Sequence, residues 1–288
     1  MVKIRPSPPY NSLEDAFRDL PRQWARQALK DAGLPASSDV AELAQFILTL
    51  RSSVETYLGG RKISGAVATI PHLPALYEED LADAFEYVGL IYIPHYPYWY
   101  GGIFCETGAV YVANGFGLCS NYTNPISCDH ERRNPPHQPQ NENVLSVSYT
   151  RGMLTSTWAS EGMWFAYPGS EGPIVADLNL GWDKRDKNPK EEYYWAEVRD
   201  AIIKPVLEAN RYIRRETNKV LLYGDCALDK RFQRVLKEAL DSALQNRPDI
   251  FALDPVYSAV RGAAEMAKRV YWEYNRTISA ENCTCCEI

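Results

Sequence analysis

No stretch of this chain stays apolar over the roughly 18–20 residues that a membrane-spanning helix needs. No apolar core follows the opening Met1-Val2-Lys3-Ile4-Arg5-Pro6, as a secretory signal would require. Positive charge is not in excess: 31 Lys and Arg against 37 Asp and Glu give a net charge of −6. Nothing general therefore draws the chain to nucleic acid or to an anionic membrane. Histidine is scarce, and His72, His95, His130 and His137 stand at no metal-ligand spacing. Cys283-x-Cys285-Cys286 lacks a partner pair, so no zinc set can be assembled. The seven cysteines are an odd number, and Cys105, Cys119, Cys128 and Cys226 are scattered, which reads as thiols rather than a disulfide frame. These absences imply a cytoplasmic protein with no metal, no cofactor, no nucleic-acid partner and no membrane partner. In that setting the sequons at Asn121, Asn275 and Asn282 carry no sugar.

What is present is an ordinary globular composition, 45% apolar and 24% charged, with 288 residues to build one large or two medium domains. Tyrosine is the outlier at 19 residues. After an irregular Pro-rich start, Ser12-x-x-Asp15 has the form of a capping box. It opens a helix carrying Phe17, Leu20, Trp24, Ala28 and Leu29, with a restart expected at Pro21. A second helix spans Asp39 to Tyr57 and stops at Gly59-Gly60. Lys62 to Pro71 reads as one strand, and a third helix runs from Glu78 to Val88. Residues 91–104 alternate aromatics with Pro94 and Pro97 and cannot form a helix. A short helix at 105–113 and a polar loop at 119–143 follow.

Val144 to Trp158 alternates like a hairpin with Arg151-Gly152 at its turn, a further strand region spans Met163–Leu180, and a long helix begins at Glu191. The clearest stretch comes last. Val220-Leu221-Leu222-Tyr223 is a short buried strand, Gly224-Asp225-Cys226-Ala227 a turn, and Phe232, Val235, Leu236, Ala239 and Leu240 the stripe of a helix. Asp254-Pro255 then starts a helix with a small-residue face at Ala259, Gly262 and Ala263, suited to close packing.

Strand, glycine turn, amphipathic helix and a Pro-started helix in this order resemble the adenosine-side motif of the actin-like ATPase superfamily. The nearest likeness is to the nucleotide-binding domain of the seventy-kilodalton heat-shock chaperones, in the divergent forms found in fungi. Two further segments resemble it: Ala66-Val67-Ala68-Thr69-Ile70-Pro71 leading to a helix that ends at Gly89-Leu90, and Cys105 to Gly115, where Glu106 falls on the family's glutamate. The resemblance covers residues 40–118 and 144–270. It implies an α/β chain with an incomplete actin-like ATPase (ribonuclease H-like) fold whose first lobe is partly missing. Residues 1–118 would be the remnant of that lobe, 119–143 an insertion, 144–270 the second lobe and 271–288 a tail.

The resemblance also implies what is lost. The first phosphate loop has no counterpart, and the second, at Val144–Gly152, lacks its metal-side aspartate and keeps one glycine. At the adenosine turn Gly224 is kept, but Asp225 places a carboxylate where phosphate or ribose oxygens would lie. Phosphoryl transfer needs positioned metal and donors, so no ATPase activity of the chaperone kind is expected.

Glu106 and Asp225 are the candidate acid–base residues if both face the old cleft, and Glu106 alternatively caps or pairs locally. His95, ten residues upstream of Cys105, is the further catalytic candidate. Tyr98, Trp99 and Tyr100 either pack as a wall or line an apolar ligand pocket with Gly224 and Cys226. The Cys285-Cys286-Glu287-Ile288 end reads as an oxidation-prone tail or a poor prenylation box. Three functions follow as expectations: a non-hydrolysing relic that binds a small molecule or a protein partner, a second copy of itself included; an enzyme reusing the cleft for isomerisation or cyclisation of an apolar substrate; or a rewired nucleotide binder.

Overall fold

The computed structural model describes residues 10, 12–71, 77–93, 104–124, 126–127, 130–131, 142–161, 171–187, 190–212 and 216–269. Residues 1–68 with 73–103 form one compact unit, and 69–72 with 104–288 form the other. Residues 104–118, grouped with the first lobe by sequence, therefore belong to the second unit.

In the first unit, α1 (Leu13–Asp31) starts where the capping box requires, with Ser12 Oγ accepting the Asp15 N–H at 3.1 Å. It runs through Pro21 without the expected restart. Its buried residues are Asp19 and Arg26, while Phe17 and Trp24 stay 69% and 67% exposed. The apolar residues at helical spacing thus face outward, because charge decides the docking of this helix. Arg26 binds Asp80 at 2.7 Å and Asp83 at 2.5 Å, Lys30 binds Asp83 at 3.0 Å, and Arg22 joins Asp19 to Glu79. The acidic partners outside α1 lie on α3 (Glu78–Tyr87).

Between these, α2 (Ser38–Tyr57) packs on α3, with Val40, Ala44 and Ile47 buried on one and Leu81, Ala84 and Phe85 on the other. The single strand expected at 62–71 is two strands with separate partners. β1 (Gly65–Ala66) pairs in parallel with β3 (Ile91–Tyr92) in the first unit. β2 (Thr69–Ile70) pairs in parallel with β4 (Phe104–Cys105) in the second.

The second unit is built on a five-stranded sheet. β5 (Glu142–Tyr149), β6 (Leu154–Glu161) and β7 (Glu171–Asp177) form an antiparallel meander. The chain then passes through a 3-10 turn (Trp182–Lys187) and α5 (Glu191–Tyr212), a long helix that contains Pro205. It returns as β8 (Lys219–Tyr223) parallel to β5, followed by α6 (Lys230–Ala243) and β9 (Asp249–Phe251) parallel to β8. The strand order is β7-β6-β5-β8-β9. This mixed sheet bears out the α/β class.

Period-two alternation divides the sheet residues between two faces. Leu145, Val147, Tyr149, Leu154 and Trp158 meet Trp195, Val198 and Ile202 of α5 and Phe232 and Leu236 of α6 in the main core. On the other face Val144, Leu221 and Tyr223 meet Val110 and Tyr111 of α4 (Glu106–Ala113). That face also buries four hydroxyl side chains in two cross-strand pairs, Ser146 opposite Thr157 and Ser148 opposite Thr155. α4 is crossed by α7 (258–269) so closely that a Cβ on Gly262 would lie 1.7 Å from Ala109 O. The small-residue face expected there is therefore a steric requirement.

Cysteine chemistry differs from expectation at one position. Cys105 and Cys226 are in no disulfide, but the buried Cys119 is disulfide-bonded. Pairing of this kind depends on spatial approach, which scattered sequence positions do not reveal. Among the described residues no helix is long and apolar enough to cross a membrane.

Candidate functional site

The carboxyl ends of the parallel strands β5 and β8 lie side by side, the place where open α/β sheets hold ligands. β8 ends in a turn at Gly224, whose φ of 107° lies in the region that favours glycine. A Cβ there would stand 2.3 Å from Tyr149 O, so the turn is pressed onto the end of β5. The Gly224 N–H donates to Pro255 O at 2.9 Å and the Cys226 N–H to Tyr149 O at 3.1 Å.

Asp225 then reaches the hairpin turn between β5 and β6, its Oδ1 accepting the Arg151 N–H at 3.0 Å. The same turn is clasped from the 3-10 segment. Trp182 N–H donates to Thr150 O and Asp183 N–H to Arg151 O, both at 3.0 Å, and the Arg151 guanidinium pairs with Asp183 at 3.1 Å. At the start of α6, Asp229 accepts from the N–H groups of Arg231 and Phe232 at 2.9 and 2.8 Å. Thus the helix N-terminus and the hairpin turn each have backbone donors filled by a carboxylate of the chain. Either would otherwise offer N–H groups to an anion.

Beneath the turns the site is dry and aromatic. The Tyr149 ring stacks on Phe232 at 4.0 Å, and its hydroxyl lies 2.9 Å from that of Tyr194. Tyr194 spends its single proton on the carbonyls of Leu180 and Gly181 at 2.9 and 3.0 Å, so Tyr149 is the donor between the two phenols. Burial, and then donation to Tyr194, pushes the Tyr149 phenol far above its ordinary value. Burial also pushes the Cys226 thiol up to about 11, with the charge of Asp225 and a hydrogen bond to it adding to the effect. Cys226 is therefore a protonated thiol at neutral pH and a poor nucleophile.

Glu106 opens α4 on the other face of the sheet, half-buried, where its charge acts on Tyr223. Burial raises the Tyr223 phenol well above its ordinary value and Glu106 adds to this, while hydrogen bonds with Thr107 and Thr155 pull the other way. The candidates so divide into two groups. Gly224 and Cys226 meet Tyr149, Asp225 meets Arg151, and Asp183 clasps the same turn; on the other face the charge of Glu106 acts on Tyr223, which hydrogen-bonds Thr107 and Thr155. His95, Tyr98, Trp99 and Tyr100 lie outside the described residues.

Sequence reasoning missed Asp229, Tyr223 and the Arg151–Asp183 clasp. Asp229 carried a signal, an Asp placed just before an apolar-periodic run. Tyr223 was legible only as the last apolar residue of a strand. Among the described residues no group of three or more His, Cys, Asp or Glu is placed to hold a metal ion. The sequence matches no protein-family model and no curated protein.

Proposed function

We propose that the protein is a non-hydrolysing, heat-shock-like pseudo-ATPase with an incomplete actin-like (ribonuclease H-like) fold, serving as a small-molecule- or partner-binding protein. Hairpin, long helix, β8, glycine turn and α7 occur in the order this reading needs, around one sheet. The observation that carries it is the filling of backbone donors at both turns by Asp225 and Asp229. A nucleotide phosphate entering there would have to displace two carboxylates and would meet their charge. Titration calorimetry of the full chain with Mg-ATP tests the reading. No saturable heat is expected; low-micromolar binding would overturn it in favour of a rewired nucleotide binder.

A second reading has one observation in its favour. Glu106 acts on the buried, protonated Tyr223 phenol, which puts a carboxylate base near an O–H donor, a pairing that isomerisation or cyclisation of an apolar substrate could use. A screen of apolar metabolites would then find turnover that Glu106→Gln abolishes with the fold intact. Turnover unchanged in Glu106→Gln would retire this reading.

A further inference from the structure

A groove of about 510 Å³ opens beside the start of β8, and Asn210, Glu216, Thr217, Leu244, Gln245 and Asn246 line it. It lies at the opposite end of the strand from Gly224, roughly 16 Å away at the usual rise for five residues, and does not depend on the pseudo-ATPase reading.

Two buried polar atoms stand at or behind this groove. Thr217 is 4% exposed, and its Oγ1 has no hydrogen-bond partner among the described residues. Asn143, 7% exposed, gives its Nδ2 to Glu216 O at 2.9 Å but leaves Oδ1 without a partner among them. Orphaned buried groups destabilise a fold and call for a reason, an absent ligand being one.

One carboxylate and one helix C-terminus at the groove favour a cation. α6 ends there with no basic residue in its last turn, and helix C-termini favour cations. α5 also ends there, with Arg211 in its last turn. Glu216 adds a full charge, held across the groove by Asn246 Nδ2 at 2.9 Å. Arg247 is turned to Asp241 at 3.0 Å. The side-chain amides of Asn210 and Gln245 complete a polar lining, each with one acceptor oxygen.

We propose that this groove binds a small organic cation with several N–H donors, a guanidinium or primary ammonium compound. Calorimetry and thermal shift of the full chain with agmatine test it, with the neutral polyol sorbitol as comparison. Agmatine is expected to saturate and to raise Tm, and Glu216→Gln to weaken it by about tenfold or more. Thr217→Val keeps the shape, so it should raise Tm of the unliganded protein while weakening agmatine. Absence of saturation, equal binding of sorbitol, or unchanged agmatine affinity in both variants would each overturn the proposal.

Discussion

The Asp225 carboxylate accepts the Arg151 amide proton at 3.0 Å, tying the hairpin turn to a strand-end turn 74 residues further along the chain. Asp225→Ala removes the only acceptor that this contact offers the amide. Asp225 is solvent-exposed, so the expected loss of stability is small, about 1 kcal/mol. Asp225→Asn keeps an acceptor oxygen and should lose less. Urea unfolding of the two variants checks the order, and an equal loss in both would show that charge rather than the hydrogen bond matters.

The Cys226 thiol gives a pH dependence of known sign. Its value rises from 9.0 in the free side chain to about 11 in the fold, by burial first and by Asp225 second. The folded state thus holds the proton more tightly than the unfolded state. The stability this supplies is complete below about pH 9 and is lost as pH rises through 9 to about 11. Cys226→Ala should flatten that alkaline limb of the stability profile. In Asp225→Asn the thiol should ionise at lower pH, seen as thiolate absorbance.

Glycine positions give a steric contrast. A Cβ on Gly262 would lie 1.7 Å from Ala109 O, backbone against backbone, so α4 and α7 must separate to admit it. Gly262→Ala should cost about 3 kcal/mol, the upper part of the usual range for overpacking. Gly152→Ala, with nothing within 4 Å of the new Cβ, should be close to neutral. Thermal unfolding compares the pair, and similar losses in both would contradict the close crossing.

The second unit was largely legible because its signals are local. The β8 run, the Gly224 turn, the stripe of α6 and the hairpin turn at Arg151-Gly152 each follow from a period or a turn residue. What stayed hidden depends on partners distant in sequence. The alternation Ser146-Val147-Ser148 reads as one wet and one dry face, yet both faces are buried. Phe17 and Trp24 mark an apolar stripe on α1, but Arg22 and Arg26 find the acidic start of α3 and turn the helix over. β9 is a three-residue parallel strand, too short for a periodic signal. Glu106 and Asp225 were both identified as candidates, but which face of the sheet each would serve was set by β8 and α4 together.

The charged docking of α1 leads to a final expectation at acid pH. Burial alone would raise Asp19, but hydrogen bonds from Arg22, Tyr10 and Gln23 outweigh it and hold the carboxyl at about 2, below its ordinary 3.8. Glu55 on α2 is lowered from 4.5 to about 2 by hydrogen bonds from Lys62 and Arg51. A depressed carboxylate stabilises the fold above its unfolded value, and that stability is lost as the group protonates in the folded state. The first unit should therefore loosen as pH falls from about 4.5 towards 2, with α1 released as Asp19 gains its proton. Asp19→Asn removes this titration, so α1 amides should exchange faster at neutral pH and depend less on acid. Arg26→Ala leaves Asp80 and Asp83 without their shared cation and should cost about 3 kcal/mol, as breaking a buried pair from one side does. Hydrogen exchange across 13–31 reads both effects. Slow exchange of α1 in Arg26→Ala would mean that the outward apolar stripe, and not the ion network, holds the helix in place.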